Sequence, residues 1–208
     1  RAERRVNVGV FVTAALLLDI ALWLFVLLGW ESLAIPADFA SRHQPEFVFP
    51  YSHGLAASLV WSLLAAAGAW AVYRRLATAR VRAAVLMATA VFSHWLLDAL
   101  VHRPEMPLLG ASSRAVGLAL ADNMPLALAV EVAVTVLGLA LFLRGSGLPR
   151  DRTKALAVLS LVILAFSVAG MTVAPPPPSA VAMAASTLLT VIVVCGFFAW
   201  LGRQPRSA

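Results

Sequence analysis

One short segment of the sequence carries most of its chemistry: Phe92-Ser93-His94-Trp95-Leu96-Leu97-Asp98 sets an imidazole and a carboxylate four residues apart in an apolar run. On a helix, residues i and i+4 differ by about 40° in direction and about 6 Å in height, so both side chains share a face and can reach one cation. His102 continues the same stripe one turn further. Nitrogen and carboxylate donors without thiolate suit zinc, or manganese or iron. The other reading is a hydrogen-bonded His–Asp pair that pins two helices together.

Three more ionisable residues, Asp19, His53 and Glu131, lie within or at the edge of apolar stretches. A charged group at the bilayer centre costs about 2.5–3.5 kcal/mol on insertion scales, so its default reading is functional. Burying several without a cation is hard to justify. The expected metal ligands are therefore Asp19, His53, His94 and Asp98, holding one or two zinc ions. Glu131 is expected as a further ligand or general base, and His102 as the proton donor to a leaving group. Arg114 is a candidate contact for an anionic head group; its other reading is a solvated loop side chain. His53 follows Phe49-Pro50-Tyr51-Ser52, in which Pro50 reads as a break and Ser52 as a helix N-cap. A second helix start is expected at Asp122 or Asn123, with Pro125 in the first turn. Free N–H groups at two helix starts beside a metal would suit a phosphate ester.

The elements that must position these groups are apolar spans. The chain has 208 residues, 62% hydrophobic and 12% charged. Soluble domains carry about 25% charged residues, which argues against a water-soluble globule, and the apolar content argues against disorder. Six stretches are long enough to cross a bilayer: residues 8–30, 54–73, 81–101, 125–143, 155–174 and 180–201. The expected fold is all-α, a polytopic integral membrane protein of about six transmembrane helices. The first stretch contains Asp19 and lacks a small-residue cleavage site, so it is read as a span and not as a signal peptide. The chain opens on Arg1, so a natural start further upstream is expected.

Thirteen of the sixteen Lys and Arg residues fall in alternate segments: Arg1, Arg4 and Arg5; Arg74, Arg75, Arg80 and Arg82; Arg144, Arg150, Arg152 and Lys154; Arg203 and Arg206. Only Arg42, Arg103 and Arg114 fall in the others. The positive-inside rule then puts both termini in the cytoplasm, and the net charge of +6 needs no nucleic-acid partner. The loop at 31–52 carries Phe39, Phe47, Phe49 and Tyr51, a composition suited to an interfacial belt or a lid. The run 175–179 holds four prolines and predicts a short, stiff hairpin.

The chain divides in polarity. Residues 155–202 contain no charge and no histidine, so 144–208 is expected as a two-helix scaffold hairpin and 1–143 as a four-helix core bearing the site. The single Cys195 excludes a disulfide framework and reads as an inert packing residue. HExxH, GxSxG, Walker and CxxC motifs are absent from the sequence. Haem between two histidines is disfavoured, because only His94 lies within a span.

Pro50-Tyr51-Ser52-His53, Ser93-His94-Trp95-Leu96-Leu97-Asp98 and His102-Arg103-Pro104 together resemble the YdjM-like bacterial membrane proteins, described as metal-dependent hydrolases. The resemblance spans about residues 8–143. It implies that Asp19, His53, His94, Asp98 and Glu131 match the family's ionisable positions. Two departures stand out. Family members begin with a Gly-His segment that this chain lacks, so a further ligand upstream of Arg1 is expected. They also carry Trp-Asn where this chain has Asp122-Asn123. The family is similar in its His/Asp pattern to zinc-dependent phospholipase C, which implies phosphoester hydrolysis.

The expected function is thus a metal-dependent hydrolase of the bacterial inner membrane. It would act on a membrane lipid or lipid-linked phosphoester at the extracytoplasmic face. Two alternatives remain open. One is a transporter or proton relay lined by Asp19, Asp98 and Glu131, against which stands the lack of ionisable residues in the cytoplasmic half of the spans. The other is a non-catalytic assembly subunit that uses the polar set for helix pairing.

Overall fold

The computed structural model describes residues 6–74 and 77–203. Eight α-helices follow in order: α1 (Val8–Ala15), α2 (Leu17–Leu28), α3 (Phe39–Arg42), α4 (Leu55–Val72), α5 (Ala77–Val101), α6 (Met124–Gly145), α7 (Arg150–Thr172) and α8 (Ala180–Leu201). Two small antiparallel ladders sit in the long loops. β1 (Ser32–Ala34) pairs with β2 (Glu46–Val48), and β3 (Met106–Pro107) with β4 (Ala115–Val116). The fold is all-α in substance, and it is that of a multi-pass membrane protein. Among the described residues five helices are long and apolar enough to span a bilayer, and a sixth if α1 and α2, bent by 52°, count as one broken span. Outward side chains such as Leu63, Leu137, Phe166 and Leu189 are largely exposed. That face is untenable in water and ordinary in lipid, where helices satisfy their own backbone groups.

Several expected signals are realised. Asn123 caps α6, its side chain accepting from the Leu126 N–H, with Pro125 in the first turn. Ser179 caps α8 directly after the proline run, accepting from the Ala182 N–H at 3.1 Å. Ser52 is not a cap: α4 starts at Leu55 behind Gly54. A side chain at Gly54 would press on the Pro50 carbonyl, so the 50–54 turn is tight enough to favour glycine there.

The packing does not follow the chain's polarity. The most extensive helix contact is between α4 and α5. The chargeless α8 lies mainly against α1 and α2, and only lightly against α7. At the α1–α8 crossing a Cβ on Gly9 would fall on the Ala199 backbone, and the Asn7 side-chain amide donates to the Ala199 carbonyl at 2.8 Å. Close backbone approach through small residues is the usual device for packing helices in lipid. Leu18, Ala83, Val91 and Ala184 form the driest part of this core. The α6–α7 pair stands to one side, each helix with little of its surface buried.

Candidate metal centre

Asp19 lies in the first turn of α2, directly after the bend. The free N–H groups and positive end of that helix favour a carboxylate there. Ala15, the last residue before the bend, offers its carbonyl to α5, and the His94 Nδ1–H donates to it at 2.7 Å. A carbonyl can only accept, so Nδ1 carries a proton and Nε2 is the nitrogen turned inward. From α5, the Asp98 Oδ2 stands 3.1 Å from the His94 Nε2, as the i, i+4 spacing predicts.

His53 arrives from the turn before α4 and is 2% exposed. Its backbone carbonyl accepts from the Trp95 indole N–H at 2.9 Å, which ties the turn to α5. The neighbouring Tyr51 carbonyl accepts from the Trp61 indole at 2.9 Å. The His53 ring Nδ1 meets the Ser52 Oγ at 2.8 Å, and that hydroxyl donates onward to the Glu31 Oε2 at 2.7 Å. The hydroxyl proton is committed to Glu31, so Ser52 accepts from the His53 Nδ1–H. The His53 Nε2 is then the nitrogen turned to the carboxylates, 3.2 Å from the Asp98 Oδ2 and 3.9 Å from the Asp19 Oδ1.

The two imidazoles therefore turn their Nε2 atoms toward two carboxylates, which can only accept. The remaining distance, His94 Nε2 to Asp19 Oδ1, is 3.7 Å. Two neutral imidazole lone pairs facing carboxylate oxygens repel, unless a proton or a metal cation stands between them. A tetrahedral zinc with bonds of about 2.0–2.1 Å holds its ligand atoms about 3.3–3.4 Å apart. The four measured separations, 3.1, 3.2, 3.7 and 3.9 Å, bracket that value. One donor atom from each of Asp19, His53 and His94 lies within 4.8 Å of the others, and Asp98 bridges the two histidines.

The donors face a cavity of about 200 Å³, roofed by Trp23, Phe47 and Phe49 and edged by His102. Phe49 packs edge-on against His53 with ring centroids 5.0 Å apart, and Phe47 meets Trp23 at 6.0 Å. The aromatic loop thus lies over the donors, as a lid would. His102 hydrogen-bonds through Nδ1 to the Glu105 Oε1 at 2.7 Å. Burial pushes the His102 ring toward the neutral form, but the Glu105 hydrogen bond and the Asp98, Glu105 and Asp19 charges outweigh it and hold its pKa above 6.5.

Two expected residues stand apart. Glu131 faces α7, where its Oε1 accepts from the Ser167 hydroxyl at 2.7 Å, and it does not line the cavity. Its depth suits the site, but the rotation of α6 turns it to another neighbour. Arg114 is exposed in the hairpin leading to β4 and does not line the cavity either. Two carboxylates join the site's surroundings that spacing alone did not mark. Glu105 could be paired with His102 by its i+3 position. Glu31 is 4% exposed and accepts from the Tyr51 and Ser52 N–H groups at 2.7 and 2.8 Å as well as from the Ser52 hydroxyl. Burial pushes its carboxyl above the usual range against the pull of those hydrogen bonds and of His53.

No protein-family model, curated protein or solved structure matches the chain. The YdjM-like resemblance rests on the residues quoted for it, and the functional reading rests on the geometry above.

Proposed function

We propose that this chain is a membrane-embedded, metal-dependent hydrolase of the YdjM-like kind, acting on a lipid or lipid-linked phosphoester at the extracytoplasmic face of a bacterial inner membrane. The observation that carries the reading is the convergence of the His53 and His94 Nε2 atoms with the Asp19 and Asp98 carboxylates. These four residues would hold the cation, and nitrogen–oxygen donors at such spacings suit zinc. Bound there, zinc would supply Lewis acidity toward a phosphoryl oxygen and make a coordinated water more acidic. His102, held by its hydrogen bond to Glu105 at the cavity edge, would give its proton to the departing oxygen. Phe47, Phe49 and Trp23 would limit water around the reacting group. At about 200 Å³ the cavity is smaller than the roughly 300–1,000 Å³ of pockets that enclose whole ligands, which suits a phosphoryl head with its tail lying outside.

Metal analysis of the detergent-purified chain tests this reading. The expected result is a transition metal near stoichiometry in wild type and its loss in His94→Ala. A metal-free wild type, or unchanged content in the variant, overturns the metal. A loaded protein inert toward phosphatidate, phosphatidylcholine and isoprenyl phosphates overturns the hydrolase.

One observation favours a second reading, a transporter: the α1–α2 span is broken beside Asp19, and broken helices surround the binding sites of many transporters. Proteoliposomes that show no metal or proton flux above protein-free vesicles remove it.

A further inference from the structure

Glu31 touches no candidate metal donor, yet it determines which nitrogen of His53 can bind. Its Oε1 is occupied by the Tyr51 and Ser52 N–H groups, which leaves Oε2 for the Ser52 hydroxyl. An acceptor at that position draws the hydroxyl proton toward Glu31. The Ser52 oxygen must then accept from the His53 Nδ1–H, and Nε2 is the nitrogen the ring turns to Asp98 and Asp19. Ser52 is fully buried, so water does not offer the hydroxyl another partner.

We infer that Glu31 is a positioning residue that acts through Ser52 to hold His53 in the Nδ1–H form, with Nε2 free to bind a divalent cation. Both the cation and the free Nε2 rest on the proposed metal centre, because without a cation the Asp98 carboxylate 3.2 Å away favours a proton on Nε2. Outer hydrogen bonds of this kind fix ring orientation and ligand basicity in metal sites. His94 is served by the Ala15 carbonyl, which no side-chain substitution can remove. His53 is served by a side chain, so its tautomer is open to mutation.

Glu31→Gln reverses the relay with almost no change in shape. The two backbone N–H groups keep the amide oxygen facing them, and the amide nitrogen is placed opposite the Ser52 hydroxyl. That nitrogen donates to Ser52, so the Ser52 proton swings toward the His53 Nδ1. His53 is driven to the Nε2–H form, whose donor nitrogen cannot ligate.

The test uses the full chain in detergent with 15N-labelled histidine and saturating zinc; His53→Ala identifies the signal. Wild type is expected to show a protonated Nδ1 at His53, and Glu31→Gln a protonated Nε2. Zinc titration is expected to give a Kd raised about 10–100-fold in Glu31→Gln. Should that variant fail to fold, Ser52→Ala carries the test, with loss of the Nδ1–H preference and a Kd rise in the same range. The same His53 tautomer in wild type and variants, or a Kd within twofold of wild type beside a His94→Ala that loses zinc, overturns the role of Glu31. A wild type that binds no zinc overturns the metal centre and this role with it.

Discussion

Asp19 and Glu131 are both carboxylates inside apolar spans, yet they sit in regions of opposite character. Asp19 lies in the tightly packed group of α1, α2, α4, α5 and α8, at a helix bend, with two imidazoles within 4 Å. Glu131 lies in the loosely attached α6–α7 pair, with one serine hydroxyl on it. Asp19 has a helix start and two histidines as partners, whereas Glu131 has a single Ser167 hydroxyl. Burial of a carboxylate in lipid is thus an incomplete sign of chemistry. What separates the two regions is whether the neighbours supply opposed donors around a shared point.

The largest effect that would break this contrast is loss of the donors. His53→Ala and Asp98→Asn should each weaken zinc binding by more than about 100-fold, beyond the range for outer-shell changes, as read by competition with a chelating dye. Removing the metal should lower the thermal midpoint of wild type in detergent and leave that of His53→Ala where it was. A ligand present at 100 times its Kd stabilises by about 2.7 kcal/mol, which sets the scale of that drop.

Packing gives the next contrast. Gly9→Leu drives a side chain into the Ala199 backbone, and overpacking of this kind costs about 1–3 kcal/mol. Gly138→Leu on α6 meets open space and should change the unfolding midpoint little. Equal losses from the two would show that α8 is not a working part of the site-bearing group. A smaller effect is expected at Trp95→Phe, which removes the indole bond to the His53 carbonyl while keeping an aromatic ring. One such bond is worth about 1 kcal/mol, and zinc affinity should fall a few-fold with it. The smallest effect belongs to Glu131→Gln. Interhelical hydrogen bonds in membranes average about 0.6 kcal/mol, so stability should shift slightly and metal content should stay at the wild-type level. A metal-free Glu131→Gln would return α6 to the site.

Much of the site was legible because helix geometry is local. His94 and Asp98 share a face by spacing alone, and His53 followed from its place at a helix entry. The aromatic loop was legible as a cover, since Phe47 and Phe49 have little use in a solvated turn. Glu31 was not legible: it lies twenty-one residues before Ser52, and only the loop path brings the two within hydrogen-bond reach. The partner of α8 was likewise hidden, because an all-apolar helix carries no stripe to say which face is buried.

Hydropathy bounds how many spans the chain can make and which of them carries each ionisable group, since a bilayer demands about 20 apolar residues whatever the neighbours are. It carries no information on the rotation of one helix about its axis relative to another, because lipid and protein neighbours look alike to an apolar side chain. That rotation was settled by tertiary contact: the bend after Ala15 that aims Asp19 and a backbone carbonyl at α5, the Trp95 bond that sets His53 opposite Asp98, and the turn of α6 that gives Glu131 to Ser167. Directional hydrogen bonds, which hydropathy does not register, decided which buried carboxylates became a site.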